Sequence, residues 1–381
     1  MTDRTAALVL TTINDPIVLD ACYENFARYG HLDQVTCYLI IDKKTPEAAI
    51  ERCRTLQSRG WDVRCPSLAE QDAYTGRFGL SPAFIPLNSD NRRNVGYLMA
   101  YESGADFVIS IDDDNFPHAD EDFFAEHAVV CRNDVDTPLV QTETGYFNIC
   151  TMLDFAKPGP VYPRGFPYAA RHRAENATRQ ESLAPVHINA GLWLKDPDCD
   201  AITWLVNPPQ ATAVAAPSVT LGAKAWSPIN TQNTALRRDA LGAYYFVRMG
   251  YEIGGNAIDR YGDIFSGYFV QACARHLGGA IRVGTPVAEH RRNSHSYLND
   301  ATREWACILL LEEVLPWLTT QARLSGNTYA DAYDALSHGL EELAERTSSR
   351  FWSDAVRGFF HQMAHCMRQW TRACRIIDGC A

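Results

Sequence analysis

The chain has 381 residues and a formal net charge of −11, with acidic and basic residues interspersed and an apolar content ordinary for a folded domain. That length suits one large α/β domain, alone or with a helical appendage. The acidic balance, with no basic tract and no finger spacing, speaks against a nucleic-acid binder. No uninterrupted apolar run approaches the roughly 20 residues of a membrane span.

In chain order, AALVLTTI (6–13) reads as a buried strand ending in polar Thr12 and Asn14. Residues 15–29 read as a helix opening near Pro16, where a missing N–H costs little. VTCYLIIDKK (35–44) is a second strand ending at Asp42, and PEAAIERCRTLQSRG (46–60) has helical period and a terminal glycine. WDVRCP (61–66) is predicted as a short third strand, which makes βαβαβ and hence a parallel sheet covered by helices. Residues 91–103 read as a helix and DFVISI (106–111) as the next strand. Neither GxGxxG after the first strand nor GxxxxGK[ST] occurs, which disfavours a Rossmann dinucleotide site and removes a P-loop. The Pro-, Gly- and aromatic-rich stretch 150–235 reads as long loops with short strands, a composition suited to building a substrate site over a rigid sheet. Residues 260–278 read as a loop and helix, and 280–296 as a strand with an irregular histidine-containing tail. From Asp300 onward three segments carry apolar helical stripes. The expected division is a catalytic unit over 1–298 and a helical packing or assembly region over 299–381.

The twelve cysteines are scattered without CxxC pairs or zinc spacing, and the opening MTDRTAALVLTT has too short an apolar run for a signal peptide. These features lead us to expect reduced thiols in a cytoplasmic protein.

The run VISIDDDNFP (108–117) drives a strand into three adjacent aspartates. Like charges this close repel and resist burial, and a bound cation resolves the conflict most simply. Asp112 and Asp114, two apart, can both converge on one ion at a strand-to-loop corner, with Asp113 then pointing away. Oxygen donors suit Mg²⁺ or Mn²⁺, both of which bind diphosphates. In open parallel sheets, ligands bind at this end of the strands. The competing reading is a solvated turn, since Asn115 and Pro117 are good turn residues. A third ligand is sought in TPVAEHRRNSHS, where spacing alone does not separate His290 from His295; imidazole favours Mn²⁺ somewhat.

Other candidates have two readings each. Arg92 and Arg93 open the helix before the acidic strand and suit phosphate oxygens, or are surface charge. Asp42 accepts from a base or ribose, or caps the following helix. Arg164, fixed in YPRGFPY, contacts phosphate or sugar, or stacks between Tyr162 and Phe166. Asp263 in RYGDIFSG contacts substrate or caps a helix.

VISIDDD, PRGFPYAAR, NAGLWLKDPDCDA, QNTALRRD, RYGDIFSGY and PVAEHRRNSH, in this order, resemble the reversibly glycosylated polypeptides, the UDP-arabinopyranose mutase family. The resemblance runs from the first strand to about Trp317. It implies a glycosyltransferase A-type fold, a nucleotide-diphospho-sugar transferase-like parallel or mixed sheet with a C-terminal helical extension. It implies an enzyme that interconverts pyranose and furanose forms of a nucleotide-linked sugar with Mn²⁺ or Mg²⁺. Asp112, Asp113 and Asp114 fall on the family's acidic triplet and His290 on the histidine of its closing strand motif; Asp112, Asp114 and His290 are therefore the expected metal ligands. Arg164 falls on the arginine that the family reversibly glycosylates; with Asp263 it makes the catalytic pair. Thr12, Asp42, Arg92, Arg93, Asn189 and Asn233, in or near the matched segments, are the expected nucleotide contacts. A protonated guanidinium is a poor nucleophile, so Arg164 is expected to position and control charge. Family members associate with one another, which implies a homo-oligomer. TTINDP, DNRRNVGYLMA and GFPYAARHRAEN differ from the family's usual segments. The substrate is thus open between UDP-arabinose and a UDP- or GDP-hexose, in a specialised pathway such as antibiotic biosynthesis. The alternative activity is metal-dependent glycosyl transfer to a separate acceptor.

Overall fold

The predicted βαβαβ opening is present in the computed structural model, which describes residues 4–81, 83–173, 176–253, 255–293 and 296–380. It comprises β1 (Ala6–Thr12), α1 (Val18–Tyr29), β2 (Val35–Ile41), α2 (Glu47–Ser58) and β3 (Val63–Arg64). A short helix α3 (Leu68–Gly76) precedes α4 (Arg93–Ser103) and β4 (Phe107–Ile111). β1 lies between β2 and β4, and all of these pairs are parallel. Burial on both faces explains the near-continuous apolar runs. Ala7 and Val9 face one buried cluster, while Ala6, Leu8 and Leu10 face the other.

Beyond β4 the chain adds β5 (Asn115–Pro117), β6 (Leu139–Gln141), β7 (Thr178–Gln180), β8 (Val186–Lys195), the short helix α5 (Ala201–Val206), β9 (Val219–Leu221) and β10 (Asn233–Arg237). Helix α6 (Gly262–His276) leads into β11 (Ala280–His290). The order across the main sheet is β7-β6-β9-β11-β8-β10-β4-β1-β2-β3. β10 runs antiparallel to both β4 and β8, whereas β8 and β11 are parallel. The result is a mixed-sheet α/β fold.

The stretch 150–235 corrects the expectation of loops with short strands. It contains β8, ten residues long and central in the sheet. Period-2 alternation is missing because β8 is buried on both faces, and its polar residue Asn189 and its Gly191 mask the apolar run. Gly191 is required by close approach: a Cβ there would come within 2.1 Å of Asn233 Nδ2 and 2.2 Å of the Pro286 carbonyl.

The three C-terminal helices are α7 (Tyr297–Thr320), α8 (Tyr329–Arg346) and α9 (Asp354–Ile377). Their apolar faces close the larger of the two cores, so one buried cluster extends from Ala7 to Cys374. Polar anchors fix their docking. Trp370 Nε1 donates to the Leu241 carbonyl at 2.8 Å, Tyr101 Oη donates to Asp378 at 2.6 Å, and Tyr329 Oη meets His187 Nδ1 at 2.7 Å. No helix among the described residues is long and apolar enough to cross a membrane.

Candidate active site

β4 ends at Ile111, and the chain turns through Asp112, Asp113 and Asp114 into β5. β5 pairs antiparallel with the end of β11, Asn115 opposite His290. That register carries the acidic turn to the closing strand, and His290 Nε2 lies 3.3 Å from Asp114 Oδ2. His290 Nδ1 hydrogen-bonds the Asp196 carbonyl. A carbonyl only accepts, so Nδ1 carries a proton and Nε2 is the atom presented to Asp114. Burial works against both charges, but the mutual hydrogen bond and attraction prevail: Asp114 is lowered and His290 raised from their ordinary values.

Asp112 is turned the other way. Arg93, at the start of α4, reaches Asp112 Oδ1 at 2.5 Å and donates to Ser110 Oγ and the Thr231 carbonyl, each at 3.2 Å. Burial raises Asp112, and the nearby Asp114 charge adds to it against the pull of Arg93. Asp113 accepts from the Thr12 hydroxyl and, at 3.4 Å, from Asn14 Nδ2. It therefore points away from the other two, as the alternation of the turn requires.

Arg164 sits opposite. Its Nε donates to Asp198 Oδ1 at 2.9 Å and its Nη2 to Asp198 Oδ2 at 3.0 Å. Nη1 and Nη2 also donate to the two Asp263 oxygens, at 3.1 and 2.6 Å, and Nη1 bonds the Arg260 carbonyl. All five guanidinium N–H groups thus have partners. Burial opposes the charge, yet the two carboxylates hold Arg164 above the usual arginine range. Gly165 makes the turn possible: its φ is +86°, and a Cβ would lie 2.4 Å from Ile264. Asp263 lies in the first turn of α6, which explains its position without making it a cap.

Asp90, Arg93, Asp112, Asp114, Arg164, Asp198, Thr231, Gln232, Phe246, Arg260, Asp263, His290 and Arg292 line one cavity of about 200 Å³ at the carboxyl end of β4. The expected catalytic and metal residues are therefore gathered there, and Thr12 supports the turn from behind. His295 lies outside the described residues.

Several expected nucleotide contacts have other tasks. Arg92 is corrected to a buttress: its Nε donates to Gln71 Oε1 at 3.0 Å and Nη1 to the Ile85 carbonyl at 3.4 Å, away from the cavity. Asp42 is also outside the cavity lining, accepting from Ser89 N at 3.1 Å and Lys43 N at 2.6 Å. Asn189 and Asn233 are fully buried. Asn189 Nδ2 donates to the Thr285 carbonyl at 3.0 Å and its Oδ1 accepts from Arg282 at 2.8 Å. Asn233 Nδ2 donates to the Pro286 carbonyl at 2.9 Å, and its Oδ1 lies 2.9 Å from His127 Nε2. Both amides satisfy backbone at an irregular crossing of β8, β10 and β11. Asn233→Ala is expected to lower stability by about 1–3 kcal/mol, because buried polar partners are orphaned; a shifted urea midpoint checks it.

Asp198, Arg260 and Arg292 were not among the sequence candidates. DPDCD and HRRNSH contain two of them, but no local spacing says that they meet across the sheet.

The donor set at the acidic turn suits a hard divalent cation in part. Among the described residues no three His, Cys, Asp or Glu side chains are gathered closely enough to cage an ion. Asp114 and His290 form a couple, and Asp112, engaged with Arg93, does not join them as the expected third ligand. Two protein ligands completed by phosphate oxygens and water is the habit of Mg²⁺-type sites. The His290 Nδ1 bond to a carbonyl is the outer support usual for a metal-binding imidazole.

A mixed α/β sheet with a carboxylate- and arginine-lined cavity at its strand ends defines the class of protein, and comparison with known sequences places it further. The sequence profile described as "Reversibly glycosylated polypeptide" matches residues 66–378, and the chain belongs to that family. The match begins after β3 and extends through the C-terminal helices, further than the resemblance by motif. Among relatives, UDP-arabinopyranose mutase 2 of Arabidopsis thaliana is 28% identical over 285 residues, 74% of this chain and 71% of that one. A probable UDP-arabinopyranose mutase 1 of Solanum tuberosum is 30% identical over 283 residues, 74% and 70% of the two chains. Among solved structures, glucosyl-3-phosphoglycerate synthase from Mycobacterium tuberculosis in complex with Mn²⁺ and UDP-glucose aligns over 81% of this chain and 79% of that one. It has 13% identity and a TM-score of 0.39.

Proposed function

We propose that this protein is a divalent-metal-dependent mutase that interconverts the pyranose and furanose forms of a nucleotide-diphosphate sugar. The observation that carries the reading is the single cavity in which the Asp114–His290 couple faces the Arg164–Asp198–Asp263 cluster. Family membership and mutase relatives support the same reading.

Asp114 and His290 would hold Mn²⁺ or Mg²⁺, with Asp112 close by. The ion would neutralise the leaving diphosphate as the anomeric bond breaks. Arg93 orients Asp112 and opposes the loss of its charge. For a pentose, the bond from C1 to the phosphate oxygen breaks and its electron pair leaves with the diphosphate. The C4 hydroxyl oxygen bonds C1, the bond from C1 to the original ring oxygen breaks, and the C4 hydroxyl proton ends on that oxygen. The diphosphate oxygen then reforms its bond to C1. No net proton is consumed. Arg164 orients Asp198 and Asp263 at the sugar end, and its N–H groups are already engaged. The reading therefore makes it a positioning and charge-controlling group.

We further take the enzyme to work as a cytoplasmic homo-oligomer. Leu205 and Val206 on α5 and Leu298 and Trp305 on α7 are exposed apolar side chains on two helices and support association. Light scattering is expected to give a mass above that of one chain.

Incubation with UDP- and GDP-linked pentoses and hexoses plus Mn²⁺, followed by chromatography, tests the activity. The expected result is one pyranose–furanose mixture reached from either side, with pyranose in excess, for one nucleotide sugar. Hydrolysis alone, or turnover only with a separate acceptor, would replace this reading with the transferase alternative.

A further inference from the structure

Arg292 lies two residues past His290 and lines the same cavity, but its guanidinium, unlike those of the other cavity arginines, contacts no carboxylate among the described residues; Asp198 feels its charge from beyond contact distance. Arg93 is paired with Asp112, Arg164 with Asp198 and Asp263, and Arg260 with Asp300 at 3.4 Å and Glu304 at 3.1 Å. Arg292 makes no ion pair among the described residues, and its Nε and Nη1 are buried without a hydrogen-bond partner. Orphaned buried donors are costly and call for a missing acceptor.

The guanidinium is held by ring faces. It lies 4.9 Å from the Trp204 ring centroid and 5.5 Å from that of Tyr297, and these two rings stack at 5.3 Å with planes 2° apart. A cation held through its face keeps the N–H groups of its edge available. Its backbone is pinned to the acidic turn: Arg292 N donates to Asp196 Oδ2 at 3.3 Å, and Arg291 N to the Asp114 carbonyl at 2.8 Å. The fork is therefore preorganised beside the Asp114–His290 couple.

We propose that Arg292 is the arginine that grips the diphosphate of the nucleotide sugar, a role that rests on the mutase reading. Five aspartates line the cavity, Asp90, Asp112, Asp114, Asp198 and Asp263, so a diphosphate entering it needs a cation whose N–H groups are not already engaged by carboxylates. Arg292 meets that need among the described residues, and a guanidinium fork matches paired phosphate oxygens.

The test is calorimetric titration of UDP and GDP, each with Mn²⁺, into the wild type and the variants Arg292→Gln, Arg292→Lys and Trp204→Leu. Uridine, guanosine and Mn²⁺ alone serve as controls. Arg292→Gln is expected to weaken the bound nucleoside diphosphate by roughly 10- to 100-fold and to leave Mn²⁺ affinity unchanged. Arg292→Lys should recover little, because an ammonium lacks the fork. Trp204→Leu should weaken the same ligand by a smaller factor and keeps the question open to measurement if Arg292→Gln misfolds. Wild-type diphosphate affinity in Arg292→Gln overturns the assignment alone, as does an equal loss of Mn²⁺ binding. If the wild type binds neither nucleoside diphosphate, the mutase reading falls with it.

Discussion

Asp114→Ala is expected to abolish metal-dependent turnover, by roughly 10³-fold or more, and to leave the fold intact. The magnitude follows from losing a metal ligand where diphosphate charge develops. The fold should survive because Asp114 lies on a turn at the edge of the cavity and contributes no apolar packing to either core. Loss of Mn²⁺ binding measured by calorimetry, with an unchanged circular dichroism spectrum, is the expected pattern; Mn²⁺ binding equal to wild type would remove Asp114 from the metal site.

The same pair sets a pH dependence. His290 is raised in the folded protein, so its contribution to stability is complete below its unfolded value and is lost as pH rises through the folded one. Asp114 is lowered, so its contribution is complete above its unfolded value and is lost as pH falls through the folded one. In the metal-free protein the pair therefore stabilises most between about pH 4 and 6.5, the unperturbed carboxylate and imidazole values. A metal taking Nε2 must displace the His290 proton. Mn²⁺ affinity should rise with pH until that proton is gone in the free protein, and Asp114→Ala should remove the dependence along with the site.

The parts of this molecule legible in its sequence are those set by local period. β1, β2 and β4 are apolar runs punctuated by polar ends, and α1, α2 and α4 have helical stripes between them. The acidic turn is legible because three aspartates after VISI contradict the burial preceding them. β8 is not, because a strand buried on both faces and interrupted by Asn189 and Gly191 lacks either period. The meeting of Asp114 with His290 depends on β5–β11 register, and spacing alone could not separate His290 from His295. Asn189 and Asn233 show the converse. Their motifs mark the family, but their amides solve a backbone problem where β8, β10 and β11 cross. Arg92 and Arg93 are adjacent, yet helical geometry turns one toward Gln71 and the other toward Asp112. Adjacent residues on a helix do not share a face.

Arg164→Ala is expected to cost about 3–5 kcal/mol of stability as well as activity, because it leaves two buried carboxylates, Asp198 and Asp263, without their shared cation. Arg164→Lys should recover only part of this, since one ammonium cannot engage both forks. A removal that also neutralises the acids separates structure from function. Arg164→Met combined with Asp198→Asn and Asp263→Asn is expected to regain most of the stability, as replacements of buried ion clusters often do. It should still lack turnover, because the sugar end of the cavity has lost its charge pattern. The same geometry bears on covalent glycosylation. A sugar on Nη1 or Nη2 must displace an existing bond to Asp263, Asp198 or the Arg260 carbonyl, and the attacking nitrogen must lose a proton that a carboxylate or that carbonyl holds in place. Mass spectrometry of the wild type at steady state should therefore show glycosylated Arg164 in a minor fraction of the protein. A modified majority that forms and decays at the rate of turnover would make Arg164 a covalent intermediate and overturn its role as a positioning residue.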